Sequence, residues 1–376
     1  MIRLLHCADL HIDSPFSKYP PSVREKKRED VMSSFRAMIE YIISEKIEIC
    51  LIAGDLFDSE NPSDASRKEV RAGFERASGC RFFISPGNHD PYTENGVYAT
   101  FNLGENVTVF NSEHIARVSL APLEADIYGY AFTCRTMKSN PLSELRVANN
   151  GRINILLAHG DTSSAISDSC PISTSDIMEC GADYVALGHL HNLPGINKIN
   201  ETYYGYSGCL CGRDFGELGE KGAYLCELSR ENGFFTCNSV FVPFGVHKYL
   251  QEEADISGLA DDESVAERLN EISKINLWAE DCSVRFKLVG RVASEYIPHK
   301  NAISAMTRGL RDVEIKNETT PDIKSCRLEN DMTLRGEFFR MLLPMLESGT
   351  PEERTRAAAA LRLGLCAMDG GNLDEI

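Results

Sequence analysis

Seven residues of this chain have the donor types and spacing to hold metal ions: Asp9, His11, Asp55, Asn88, His159, His189 and His191. They offer carboxylate, imidazole and amide donors and no thiolate, a set that suits Mn²⁺, Zn²⁺ or Fe. Five of the nine histidines (His11, His89, His159, His189 and His191) fall in these clusters. In an extended strand, D-x-H or H-x-H turns alternate side chains to one face, so Asp9 with His11 can chelate one ion. If one oxygen donor were shared, the set would build a binuclear centre, with ions about 3.5 to 4 Å apart clamping an in-line displacement at phosphorus. Each piece alone is ordinary: D-x-H is usually a polar strand end, G-D a turn, and H-x-H arises by chance on exposed strands. The ordered series D-x-H, GD, GNHD, HGD and GHLH, each block following its own apolar run, is not. His6 and His114 stand outside the series and are expected to be structural.

Apolar runs at Ile2 to Ala8, Ile47 to Ala53 and Arg81 to Ser85 read as strands. Helical spacing of Val31, Phe35, Met38 and Ile42 marks a helix over Val23 to Ile43, and a second is expected over Asp64 to Ala77. The βαβαβ order implies parallel pairing, and the polar clusters then lie along the carboxyl edge where α/β proteins place their sites. Val107 to Phe110, Asp126 to Ala131, Ile153 to Ala158 and Tyr184 to Leu187 add strands. Tyr203 to Tyr206, Ala223 to Leu228 and Phe234 to Val242 close the region without helices. The expected fold is α/β, a mixed-sheet two-layer β-sandwich flanked by helices, over residues 1–243. Composition shifts after Pro243. Val246 to Ile256, a helix across Ser264 to Ile275 and Ser283 to Val289 predict a small α+β unit at 244–295. A helical C-terminal tail is expected over 296–376, with helices at Asn301 to Leu310, at Asp331 to Leu346 interrupted by Pro344, and from Thr350 to about Met368, stopped by Gly370-Gly371.

The 376 residues carry 39 Lys plus Arg against 56 Asp plus Glu, a net charge of −17, and neither half of the chain is basic. Composition alone therefore argues against a charge-driven nucleic-acid binder. The N-terminus lacks a signal-peptide pattern and no apolar run is long enough for a membrane span, so a soluble, cytoplasmic chain with no membrane association is expected. The 13 cysteines are scattered without a C-x-x-C pair, and Cys50 and Cys226, inside apolar strand-like runs, read as buried small hydrophobes.

The five blocks resemble, in order, the motifs of the calcineurin-like metallophosphoesterase superfamily over about residues 1–230. Within it, LHCADLHIDSPF, GDLFD, SPGNHD, YVALGHLH and YSGCLCGRDFGELGEKG are similar to the SbcD/YhaO-type DNA-repair exonucleases. Phosphoprotein phosphatases of the superfamily continue V-D-R-G after GD and place a glutamate after GNH; this chain has Leu56-Phe57-Asp58 and Asp90. The resemblance implies two divalent ions, Mn²⁺ foremost and Zn²⁺ or Fe as alternatives. Asp9, His11, Asp55 and His191 would hold one, and Asp55, Asn88, His159 and His189 the other, with Asp55 bridging. It makes His89 the catalytic histidine beside the scissile phosphate and a metal-bridging hydroxide the nucleophile. Asp90 and Asp161 would orient histidine ligands, and Arg213, Glu217 and Lys221 would close the sheet beside the site. Cys209 stands where the family usually has a small hydroxylic residue, and a simple swap is expected.

The implied activity is cutting of DNA, 3′ to 5′ and within single strands. The 244–295 unit would be the capping domain that contacts DNA, and an SMC-like ATPase would dock on the tail helices; a homodimer is also a family habit. Acidity predicts weak DNA binding by the isolated chain. A phosphodiesterase acting on nucleotides or other small phosphodiesters is the alternative, and a non-catalytic adaptor of the ATPase is a third reading.

Overall fold

The central strands Ile49–Ile52, Ile153–His159 and Tyr184–Gly188 are buried on both faces, which means that both faces must be covered. The computed structural model describes residues 1–192, 195–293, 296–322 and 327–368. It divides into two units, Met1–Lys248 and Tyr249–Ile376. In the first unit, β1 (Ile2–Cys7), β2 (Ile49–Ile52), β3 (Arg81–Ile84) and β4 (Val107–Val109) run parallel. The helices α1 (Pro21–Ser44) and α2 (Asp64–Arg76) make the first two crossovers, and the single turn α3 (Val97–Thr100) precedes β4. Pro21 opens α1, where a missing N–H costs nothing, and Ser63 caps α2 by accepting from the Ser66 N–H.

The second sheet contains β5 (Ala116–Leu120), β6 (Ala125–Gly129), β7 (Ile153–His159), β8 (Tyr184–Gly188), β9 (Gly195–Ile199) and β10 (Thr202–Tyr206), with α4 (Thr174–Glu179) between β7 and β8. Then β11 (Gly222–Glu231) and β12 (Phe234–Pro243) return antiparallel to the first sheet. The two orders are β12-β11-β1-β2-β3-β4 and β5-β6-β7-β8-β10-β9, each mixing parallel and antiparallel pairs.

Period-two alternation sorts the apolar side chains into three layers. Leu4, Ile49, Leu51 and Phe83 of the first sheet meet Ile127, Ile155, Leu157 and Ala186 of the second in the central layer. Leu5, Cys50, Ile52 and Phe82 face Phe35 and Ile39 of α1 and Phe74 of α2. Leu156, Ala158, Val185 and Leu187 face Ile177 of α4. The expected two-layer β-sandwich flanked by helices is the fold found. His6, expected to be structural, lies in the central layer, with Nδ1 2.8 Å from the Tyr184 hydroxyl and Nε2 3.1 Å from the Leu187 carbonyl, and so joins the two sheets. Most of the described cysteines are buried.

In the second unit, β13 (Lys248–Asp255), α5 (Asp262–Ile275) and β14 (Cys282–Val289) are followed by the two-residue β15 (Arg291–Val292), α6 (Lys300–Met306), β16 (Asp312–Asn317) and the two-residue β17 (Thr320–Pro321). The order β13-β14-β16 places β16 in the sheet, parallel to β14 from Ser283 opposite Asp312 to Leu288 opposite Asn317. A strand thus lies inside the stretch expected to be helical, with Ile315 buried in the unit's core. The helices α7 (Leu334–Ser348) and α8 (Pro351–Met368) pack through Phe339, Leu346, Leu361 and Leu365. Pro344 does not break α7, which runs through it with the proline at an exposed position. The Gly370-Gly371 stop lies outside the described residues. No described helix is long and apolar enough to cross a membrane.

Candidate metal centre

The candidate ligands come from strand ends of both sheets. Asp9 and His11 follow β1, Asp55 follows β2, Asn88 and His89 follow β3, His159 ends β7, and His189 and His191 follow β8. Asp9 and His11 are not an extension of β1, as alternation along a strand would require. Asp9, His11, Asp55 and His189 all have left-handed backbones, with φ of 52°, 47°, 50° and 109°. Non-glycine residues adopt this conformation at a cost of order 1 to 3 kcal/mol each, so the surrounding structure must impose it. It does so by backbone pairing: the Asp9 N–H donates to the Gly54 carbonyl and the His11 N–H to the Asp55 carbonyl, at 3.0 and 2.9 Å. Gly54, at φ 89°, lies so close to the His159 imidazole that a Cβ there would overlap the ring.

Asp55 stands at the middle. Its Oδ2 is 3.7 Å from His11 Nε2 and 3.6 Å from His159 Nε2. On one side, His11 Nε2 lies 3.2 Å from His191 Nε2, and His191 Nε2 lies 3.8 Å from Asp9 Oδ1. On the other, His159 Nε2 lies 3.0 Å from Asn88 Oδ1. Among the described residues three groups of donor atoms each lie within 4.8 Å of one another here: Asp9 with His11 and His191, Asp9 with Asp55 and His159, and His11 with Asp58 and His89. The His189 ring stands 5.2 Å from that of His159, centre to centre, and its imidazole belongs to none of these groups; the backbone N–H of His189 donates to Asp9 Oδ2 at 3.0 Å.

Each of three rings in the cluster is oriented by an acceptor on Nδ1. His11 donates to Asp58 Oδ1 at 2.8 Å, His191 to Glu217 Oε1 at 2.7 Å, and His159 to the Ala53 carbonyl at 2.8 Å. A carboxylate or carbonyl can only accept, so a neutral ring paired in this way carries its proton on Nδ1 and presents the Nε2 lone pair inward; at His191 the shorter contact to Glu217 sets this against Arg213 Nη2, which stands 3.2 Å from the same Nδ1. His11 Nε2 facing His191 Nε2, and His159 Nε2 facing Asn88 Oδ1, are therefore acceptors against acceptors. Cations between them would resolve both contacts, and nitrogen and oxygen donors suit divalent ions of the first transition row.

Three carboxylates of the cluster, Asp58, Glu217 and Asp55, are held in the anionic form. Against the opposing effect of burial, hydrogen bonds from His11 and His89, with Arg213, hold the Asp58 carboxyl well below its usual range. Burial likewise opposes, but His191 and Arg213 hold Glu217 low, and His159 and His11 hold Asp55 low. His89, with its side chain 43% exposed, lies with Nδ1 3.3 Å from Asp58 Oδ1. That hydrogen bond, opposed by burial and aided by the Asp55 charge, pushes its pKa up to about 9.

Asp58 and Glu217 thus do what the sequence reading assigned to Asp90 and Asp161. Asp90 is buried and accepts instead from the N–H groups of Phe57 and Gly87 and from the Tyr98 hydroxyl. Burial, with the Asp55 charge, pushes Asp90 up to about 7. Asp161 binds the N–H and hydroxyl of Ser163 in its own loop. Asp58 is the last residue of the GDLFD block, so its signal was present but carried no mark of its target. Lys221 holds the His191 carbonyl and the Asn192 side chain at 3.2 and 2.9 Å. Cys209 forms a backbone β-bridge with Ala8 and is buried with Sγ 4.0 Å from the His191 carbonyl.

The calcineurin-like phosphoesterase model matches residues 2–193. Relatives include the "Uncharacterized metallophosphoesterase YhaO" of Bacillus subtilis, 30% identical over 238 residues, covering 61% of this chain and 58% of the relative. The "DNA double-strand break repair protein Mre11" of Aeropyrum pernix is 27% identical over 239 residues, covering 56% and 54%. An SbcCD nuclease component of Rhodobacter capsulatus is 33% identical over 95 residues, covering 24% and 22%. The chain spans little more than half the length of the first two relatives. With strand-end donors in the motif order and half of its length matched, the chain belongs to the calcineurin-like phosphoesterase family.

Proposed function

We propose that this chain hydrolyses DNA phosphodiester bonds with two divalent ions, Mn²⁺ foremost. The observation that carries the reading is the position of Asp55 Oδ2, nearly equidistant from His11 Nε2 and His159 Nε2 at 3.7 and 3.6 Å. An oxygen so placed suits a donor common to two ions. Asp9, His11, Asp55 and His191 would hold one; Asp55, Asn88, His159 and His189 the other. Bound there, the ions would polarise the phosphoryl oxygens and make water a stronger nucleophile at neutral pH.

Residues of the chain do the rest. Nδ1 of His89 is taken by Asp58, which leaves Nε2 on a half-exposed ring as the donor toward substrate. A protonated imidazole there can stabilise charge on the phosphoryl oxygens or give its proton to the leaving 3′ oxygen. In this reading residues 1–243 are the catalytic domain and 244–295 contact DNA. Helices of 296–376 would dock an SMC-like ATPase, and a homodimer is compatible. A net charge of −17 favours a second reading, a nucleotide or other small phosphodiester as substrate, because phosphate contacts along DNA call for Lys and Arg.

The test is a Mn²⁺-dependent assay on linear DNA of defined ends, wild type beside His89→Ala. Loss of cutting by about 10²- to 10⁴-fold with metal content retained is expected; equal cutting overturns the role of His89. Turnover of bis-p-nitrophenyl phosphate with no cutting of DNA would transfer the conclusion to small phosphodiesters.

A further inference from the structure

The carboxylates that orient His11 and His191 are tied to each other through Arg213. Its Nη1 lies 3.3 Å from Asp58 Oδ1, its Nη2 2.8 Å and its Nε 3.2 Å from Glu217 Oε1. Its backbone N–H donates to Glu217 Oε2 at 2.8 Å, and its carbonyl accepts from Lys27 Nζ at 3.1 Å. The side chain is mostly buried, so the guanidinium is confined between the two acids. His159, by contrast, gives its Nδ1 proton to the neutral Ala53 carbonyl, and the nearest carboxylate oxygen, Asp9 Oδ1, stands 4.0 Å from that nitrogen. The two halves of the cluster are thus built differently: Asp58, Arg213 and Glu217 form a charged arc behind His11 and His191, while a backbone carbonyl holds His159.

We propose that Arg213 is a positioning residue for one ion of the pair, the ion between His11 and His191, and not for the ion beside His159. The inference rests on the two-ion reading above. Two carboxylates packed near one another repel, and each is free to rotate away from its histidine unless a cation joins them. A planar guanidinium has donors enough, in a fixed fork, to serve both at once, whereas an ammonium is a point charge that serves one well. With the arc intact, both Nδ1 protons are fixed and both Nε2 lone pairs aim at the same place. Without Arg213 the two rings lose their common orientation, and His159 keeps its own.

The experiment counts Mn²⁺ by titration calorimetry and by the Mn²⁺ electron paramagnetic resonance signal, with melting temperature as the folding check. Wild type is expected to take up two ions. Arg213→Gln is expected to bind one with wild-type affinity and the other about 10- to 100-fold more weakly. Arg213→Lys, which keeps the charge, is expected to recover part of the lost affinity. Two ions bound as tightly as in wild type by folded Arg213→Gln, or both weakened alike, overturns the proposal. Should that variant fail to fold, wild-type binding of both ions by Arg213→Lys overturns it equally. Fewer than two ions in the wild type overturns the two-ion reading together with this inference, an outcome distinguishable from a failure confined to the variants.

Discussion

His11 and His191 face each other through Nε2 atoms only 3.2 Å apart, while their Nδ1 protons are committed to Asp58 and Glu217. Two lone pairs opposed at that distance repel, and the Nδ1 hydrogen bonds keep either ring from turning away. The rings are held in a geometry that is useful only when a cation lies between them, the pre-organisation expected of a metal site whose partners fix tautomer and direction.

Divalent ions should therefore stabilise the native state. A ligand at 100 times its Kd adds about 2.7 kcal/mol, worth roughly 5 to 10 °C for a unit of this size. Melting curves in excess Mn²⁺ and in EDTA check this. Coincident curves would count against a metal site.

Asp58 Oδ1 serves His11, His89 and Arg213 at 2.8, 3.3 and 3.3 Å. Asp58→Asn preserves shape but removes the charge and can turn an amide donor toward the rings. Turnover of bis-p-nitrophenyl phosphate in saturating Mn²⁺ is expected to fall about 10- to 100-fold. Wild-type turnover would make Asp58 a bystander.

Gly54→Ala meets two obstacles, the left-handed φ of 89° and the His159 ring beside it. A loss of at least about 1 to 3 kcal/mol is expected, read by urea denaturation, with Mn²⁺ uptake reduced because His159 must move. Unchanged stability would contradict the close approach.

His6 is a pH sensor of stability rather than of catalysis. Burial, partly offset by its hydrogen bond to Leu187, lowers its pKa from 6.5 to about 4. Between those values the unfolded chain binds the proton and the folded chain does not, so stability falls as pH drops from 6.5 toward 4 and the loss levels off below. The full effect is about 3 kcal/mol. Denaturation of wild type and His6→Gln across that range checks it; parallel pH profiles would refute the assignment.

Strand and helix periods made the first unit legible: fully apolar runs such as Ile49–Ile52 and Tyr184–Gly188 announced strands covered on both faces, and the polar residues just after them announced the site. The second unit was less so, because the short β16 at Asp312–Asn317 lies among helical stretches and its alternation is only two apolar residues long. Local pattern also named the candidate donors, since D-x-H, GNHD and GHLH are contiguous in the chain. It could not assign who holds them. Asp58 lies 47 residues from His11, and Glu217 26 from His191. Asp90, adjacent to His89 in sequence, turned away to Tyr98. Spacing encodes which side chains share a strand end, a matter of backbone geometry over a few residues. Which acceptor reaches which Nδ1 depends on how separate loops from two sheets pack, and only the tertiary structure decides that.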